Sequence, residues 1–222
     1  MATPTRRSRV RSERRRRYES PRRAQHAAQT RAAVLDAARR LFAERGWAGT
    51  GMRDVAGAAG VAVETVYSNF GSKADLLLAA LDVAIVGDDL PIPVAERPEF
   101  AALGRGALAE RARAAARLVR EINERTFGIQ TALREAAAGD SESGLSKRLG
   151  EGEERRRFNV EQGLQLVAGR SVSDTERDGM WAVLSMEVYR LLVGQSGWSA
   201  SRYEKWLAEA IVRLLGHGGE QS

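Results

Sequence analysis

An all-α protein is what this sequence predicts: a three-helix N-terminal head joined to a C-terminal helical bundle. Three observations lead there. Apolar residues recur every three or four positions along most of the chain. Nothing alternates with period two for long enough to make a strand, and no repeat of solenoid length is present. Ala56-x3-Gly60-x5-Val66 has the spacing of two helices crossing at a tight turn.

Taken in order, residues 1–23 hold ten arginines against Glu13 and Glu19, a net of +8 in a chain whose total is +6. The other residues therefore sum to −2, and within 24–86 six basic and six acidic residues cancel. A segment so charged cannot bury enough apolar surface to offset its chain entropy. Residues 1–23 are expected to be a disordered arm, with Arg22 and Arg23 among its phosphate-binding cations. A solubilising or targeting extension is the alternative reading of the same residues.

Val34, Leu35, Ala38, Leu41 and Phe42 then form one stripe on a helix from about 25 to 45. Thr50 is placed to cap a second helix near 51–58, a third follows near 62–69, and Ser72 caps a fourth. The first three make the three-helix head, and with the fourth they span residues 24–86. Gly87 and Pro91-Ile92-Pro93 break the pattern, so 87–98 reads as a linker and 99–218 as the helical second domain. Gly139-Asp140-Ser141 and Gly169-Arg170-Ser171 read as its clearest loops. Ser173-x-x-Glu176 is a capping box opening a helix that runs to about 193, and Ser199 caps the last one.

Several chemistries are excluded or unsupported. With no cysteine there are no disulfides, thiolate nucleophiles or Cys-ligated metals. The two histidines, His26 and His217, lie near opposite ends and no paired ligand spacing accompanies them, so neither a metal nor a cofactor is expected. No nucleophile constellation is recognisable, which argues against an enzyme. No apolar run nears the ~18–20 residues that span a bilayer, so a cytoplasmic protein without membrane contact is expected.

The steric logic of the Ala56–Gly60–Val66 spacing is that of a helix-turn-helix. Ala56 is small where two helices cross, Gly60 frees the turn, and Val66 packs the second helix onto the first. The second helix then protrudes far enough to enter a major groove about 12 Å wide. Thr65-Val66-Tyr67-Ser68-Asn69-Phe70-Gly71-Ser72-Lys73-Ala74-Asp75-Leu76 follows directly and resembles the TetR family signature, T-[LIV]-Y-x-x-F-x-x-K-x-x-L. Thr30 to Phe42 resembles that family's first helix and Gly46-Trp47 the turn that ends it, so the resemblance covers about 28–80.

The resemblance implies a homodimeric, sequence-specific transcriptional regulator, a repressor released from a palindromic duplex operator by an unidentified small-molecule effector. Tyr67 and Lys73 match phosphate-contacting positions, and Thr50 one that touches backbone. Val63, Glu64, Thr65 and Ser68 match the base-reading turn, with Asn69 beside them. Glu64 either accepts from a cytosine amino group or stabilises the helix N-terminus. In the second domain Phe127, Trp181, Met186 and Tyr189 either wall an effector pocket or are ordinary core. The resemblance also implies that the last two helices pair between subunits. Trp181, Leu184, Val188 and Leu191 would supply one stripe, and Tyr203, Leu207, Ile211 and Leu214 the other. Two such stripes can equally bury each other within one chain. An architectural DNA binder with little sequence discrimination is the rival reading, carried by the arginine-rich arm.

Overall fold

A computed structural model of the chain describes residues 6–88, 92–138 and 145–216, with side chains from Arg22 onward, that of Ser146 excepted. The described residues form helices and no strand. Helix α1 spans Arg6–Arg45, α2 Met52–Ala59, α3 Val63–Phe70 and α4 Lys73–Val86. Short turns follow at Val94–Glu96, Pro98–Ala101 (α5) and Ala102–Gly104. Then come α6 Leu108–Ala138, α7 Leu145–Ala168, α8 Asp174–Val183, α9 Met186–Tyr189 and α10 Ala200–Gly216.

The apolar stripe of α1 was legible and does what its spacing demands. Val34, Leu35, Ala38, Leu41 and Phe42 are buried with Met52, Val55, Ala56, Val66 and Phe70, which closes the three-helix head. This core is not confined to residues 24–86. Ile129, Ala132, Leu133 and Ala136 from the C-terminal half of α6, and Leu145 from α7, complete it. The N-terminal part of α6, through Ala112, Ala115 and Ala116, belongs instead to a second core with Met180, Met186, Tyr189, Tyr203, Leu207 and Ile211. One helix thus serves both cores. Gly128 permits this: a Cβ there would lie 2.6 Å from the Ala43 Cβ, so α1 and α6 cross almost backbone to backbone.

The structure departs from the sequence reading at four places. The first helix begins at Arg6 rather than near 25, so most of the expected disordered arm has helical backbone; Met1 to Thr5 lie outside the described residues. Arginine has a helix propensity close to that of alanine, and the arm simply extends α1. It gains no packing where side chains are described, since residues 22–29 are all exposed. The linker is partly structured: Arg97 Nη1 and Nη2 donate to Asp88 at 2.8 and 2.9 Å and tie its two ends. The helix expected over 174–193 breaks at Leu184–Ser185. Ser185 is extended there and caps the next turn by accepting from Val188 N, and a π-helical turn covers Arg190–Gln195. Finally, Thr50 caps nothing. Gly51 is the N-cap residue of α2, and its amide donates to Asp54 Oδ2 at 2.7 Å. Of the remaining sequence landmarks, Pro91, Gly139-Asp140-Ser141 and His217 lie outside the described residues.

Other caps form as their residue types dictate. Ser72 Oγ accepts from Asp75 N and Ser199 Oγ from Arg202 N. Ser173 and Glu176 exchange both bonds of a capping box, at 3.2 and 2.8 Å. Glu176 also accepts from Arg170 Nη2 at 2.7 Å, and Arg170 reaches on to the Leu215 carbonyl, joining α8 to the end of α10. The Arg170 bond, helped by Ser173, holds the Glu176 carboxyl down from 4.5 to about 2 against the opposing effect of burial. A depressed acid contributes stability above its unfolded pKa and loses it as the group protonates. Between pH 4.5 and 2 the protein is therefore expected to lose about 1–3 kcal/mol from this site, a range that allows for the partial solvent exposure of Arg170. Denaturant titrations of wild type and Glu176→Gln across that window check it. The gap between the two should close as pH falls, and a gap independent of pH would refute the assignment.

Candidate nucleic-acid interface

The interface is built from α2, a three-residue turn (Gly60 to Ala62) and α3. Gly60 adopts φ +68°, a left-handed conformation that costs other residues energy, and Val61 N donates back to Ala56 O at 3.0 Å. Val66 and Phe70 face inward, fully and nearly buried, which sets the register of α3. Glu64, Tyr67, Ser68 and Asn69 consequently face solvent, with Val63 and Thr65 half-buried at their edge. Tyr67 is 51% exposed, and its hydroxyl makes no hydrogen bond among the described residues. Of the four residues expected on the outward turn, Glu64 and Ser68 are exposed, while Val63 and Thr65 are half-buried.

Local bonds restrict what each residue can offer. Ser68 Oγ and Asn69 Nδ2 both donate to the Thr65 carbonyl, at 3.0 and 2.7 Å. Their donors are partly spent, and they present mainly acceptors outward, which suits base amino groups better than phosphate. Glu64 sits in the first turn of α3, beside the positive end of the helix.

Two expected contacts need revision. Thr50 is 1% exposed and its hydroxyl donates to Leu41 O at 3.0 Å, so this side chain locks α1 to the turn and cannot reach a phosphate. Lys73 does not extend into solvent either. Its ammonium donates to Trp47 O at 2.5 Å and lies 4.1 Å above the centre of the Trp47 ring. As the first residue of α4 it would otherwise place a cation against the positive end of the helix, and the carbonyl and ring offset that. The same partial burial lowers its pKa, with Asp54 pulling the other way. Two ammonium protons remain for an outside acceptor.

Arg22 and Arg23 are exposed on α1, away from the core. Arg39 and Arg40 are paired with Asp36, at 2.9 and 3.4 Å. Sequence reasoning missed Arg53, exposed on α2 and its one basic residue, which could have been found by counting cations on that helix. It also missed Trp47 as the platform for Lys73. No local signal foretells that contact, since the partners lie 26 residues apart.

The other candidate residues divide. Phe127 meets Tyr189 edge-on at 5.8 Å, and Tyr189 meets Tyr203 at 5.0 Å, with Met186 buried in the same core. Trp181 stands apart, half-buried under Arg156 and Arg157 at 5.0 and 5.6 Å from its ring centre. Of the stripe assigned to subunit pairing, Tyr203, Leu207 and Ile211 are wholly buried within the chain, because α10 packs against α6 along that face. Leu191 and Leu214 are exposed, and Leu184 and Val188 half-buried. The described residues contain no cluster suited to a metal and no helix long and apolar enough to cross a membrane.

Residues 34–80 match the family model described as bacterial regulatory proteins, tetR family. Two relatives from Pseudomonas putida, the HTH-type transcriptional regulator TtgR and the probable regulator ArpR, are each 43% identical over 58 residues. That stretch is 26% of this chain and spans only 28% of their length. Similarity of fold extends much further. The NalD secondary repressor of the MexAB-OprM efflux pump of Pseudomonas aeruginosa matches 85% of the chain and 96% of its own, with a TM-score of 0.59 at 19% identity. The TetR-family member SCO1917 of Streptomyces coelicolor matches 83% and 97%, with a TM-score of 0.56 at 22% identity.

Proposed function

We propose, from the premise that this chain carries the N-terminal domain of the TetR family, that it is a homodimeric transcriptional repressor released from a palindromic operator by a small-molecule effector. The observation that carries the reading is the outward face of α3, with Glu64, Tyr67, Ser68 and Asn69 on a helix held by the Gly60 turn. In this reading Glu64, Val63 and Thr65 meet base edges, while Tyr67 and Lys73 meet phosphates, with Arg22, Arg23 and Arg53 adding charge. Phosphate contacts fix the register, and the α3 side chains supply the sequence preference. The protein acts in the cytoplasm.

Paired half-sites need paired recognition helices, which supports the dimer. Its interface in this reading uses Trp181, Leu184, Val188, Leu191 and Leu214, the members of the two stripes that the chain leaves at least partly uncovered. The effector site would lie at Phe127, Met186 and Tyr189, where an aromatic core adjoins the π-helical turn.

Selection of tight binders from random duplex DNA tests the reading. The expected result is a palindromic consensus, bound on the order of 10³-fold more tightly than scrambled DNA. Glu64→Ala should change the preferred base at one position in each half-site, a discrimination of about 1–3 kcal/mol. A consensus unchanged by that substitution would leave Glu64 as a helix-stabilising residue only. Failure to enrich any sequence would defeat the regulator reading itself.

A further inference from the structure

Helix α6 presents successive residues to opposite sides of the molecule. Phe127 faces Tyr189 and Gly194, while Gly128 abuts Ala43 of α1. One helical stretch further on, Arg134 Nη2 donates to Glu187 Oε1 of α9 at 2.6 Å. The next residue, Glu135, turns to the DNA-binding head: its Oε2 accepts from the Trp47 amide at 2.8 Å. Room for that carboxylate exists because residue 46 is glycine, where a Cβ would lie 2.6 Å from the Glu135 oxygen. Trp47 is also pinned from beneath, its ring stacked on Phe42 at 6.2 Å. Its indole ring and its carbonyl carry the Lys73 ammonium.

We infer that Glu135 is a positioning residue for DNA binding: by fixing Trp47 it sets where the Lys73 ammonium stands at the start of α4. The inference rests on the DNA-binding reading above and deepens it. Glu135 touches no DNA in this account and contributes only through Trp47. Without an acceptor for its amide, residue 47 is free to shift, and the carbonyl and ring that hold Lys73 shift with it. Lys73 is then left to choose among many rotamers, which its long side chain populates readily in water.

The test uses the full chain and the duplex selected by the wild-type protein. Glu135→Ala is expected to weaken binding about tenfold, whereas Glu135→Gln, which keeps an acceptor oxygen, is expected to bind within about twofold of wild type. In a Lys73→Met background the Glu135→Ala loss should shrink to less than about twofold, since the two residues act as one unit. An equal loss in both backgrounds would overturn the inference. A wild-type protein that selects no duplex would instead defeat the DNA-binding reading.

A second readout needs no DNA. The chain has three lysines, and Lys147 and Lys205 are exposed, so selective ¹³C labelling of lysine Cε gives three distinguishable NMR signals. The Lys73 signal should be displaced upfield by the Trp47 ring. It should move toward the other two in Glu135→Ala and stay in Glu135→Gln. An upfield signal retained in a folded Glu135→Ala protein would mean that Glu135 merely caps the turn after α1.

Discussion

Replacing Leu191 and Leu214 together with glutamate is expected to give a folded monomer that binds the selected duplex on the order of 10²–10⁴-fold more weakly than the wild-type protein. Leu191 is 46% exposed and Leu214 39%, each a large apolar side chain on the outer side of the last helices. A charge at either position stays in water in the monomer but is forced against a second subunit in the proposed dimer, where burying it unpaired is costly. Losing the partner removes the second half-site contact, which otherwise acts at millimolar effective concentration, and that sets the size of the effect. Leu207→Glu is the contrasting control. Leu207 is fully buried between α10 and α6, so a carboxylate there should unfold the second domain rather than separate subunits. Sedimentation at micromolar concentration, with circular dichroism for helix content, distinguishes the two outcomes. A Leu191→Glu/Leu214→Glu protein that remains dimeric would remove these residues from the interface.

That contrast also marks the limit of what could be read from the sequence. Features decided within one turn of helix were legible: the Ser72, Ser173 and Ser199 caps, the Gly60 turn, and the inward face of α3 are all local consequences of residue type. Features decided by which element covers which face were not. The spacing of Tyr203, Leu207 and Ile211 says that one side of α10 is apolar, but not that α6 of the same chain covers it. The break at Leu184–Ser185 was equally hidden, because the apolar period runs straight through it while Ser185 withdraws to cap α9. Thr50 illustrates a competition. A threonine before a helix can cap it or bond elsewhere, and the nearby Leu41 carbonyl, nine residues back, takes the hydroxyl. Lys73 and Glu135 meet at Trp47 across 26 and 88 residues of sequence, a separation that no periodicity bridges.

Deleting residues 1–23 is expected to flatten the dependence of log K on log salt by about 3–4 units per subunit, if roughly four of its ten arginines neutralise phosphates. At about 0.15 M salt a change of that size corresponds to an affinity loss on the order of a thousandfold per subunit. The head of residues 24–86 has no net charge, Asp36 engages Arg39 and Arg40, and Lys73 is drawn onto Trp47. The head therefore supplies geometry and little long-range attraction. The extension of α1 from Arg22 back to Arg6 adds about 24 Å of helix, a length over which a duplex presents roughly a dozen phosphates. Arginine also suits the negative potential of a narrow A·T-rich minor groove. Since such attraction is largely blind to sequence, non-specific binding should fall further than specific binding, and the truncated protein should be weaker yet more discriminating. Titrations of the selected duplex and of scrambled DNA at several salt concentrations, with and without residues 1–23, measure both effects. An unchanged slope would mean that the arm is a solvated bystander, and that the attraction comes from cations of the head such as Arg53.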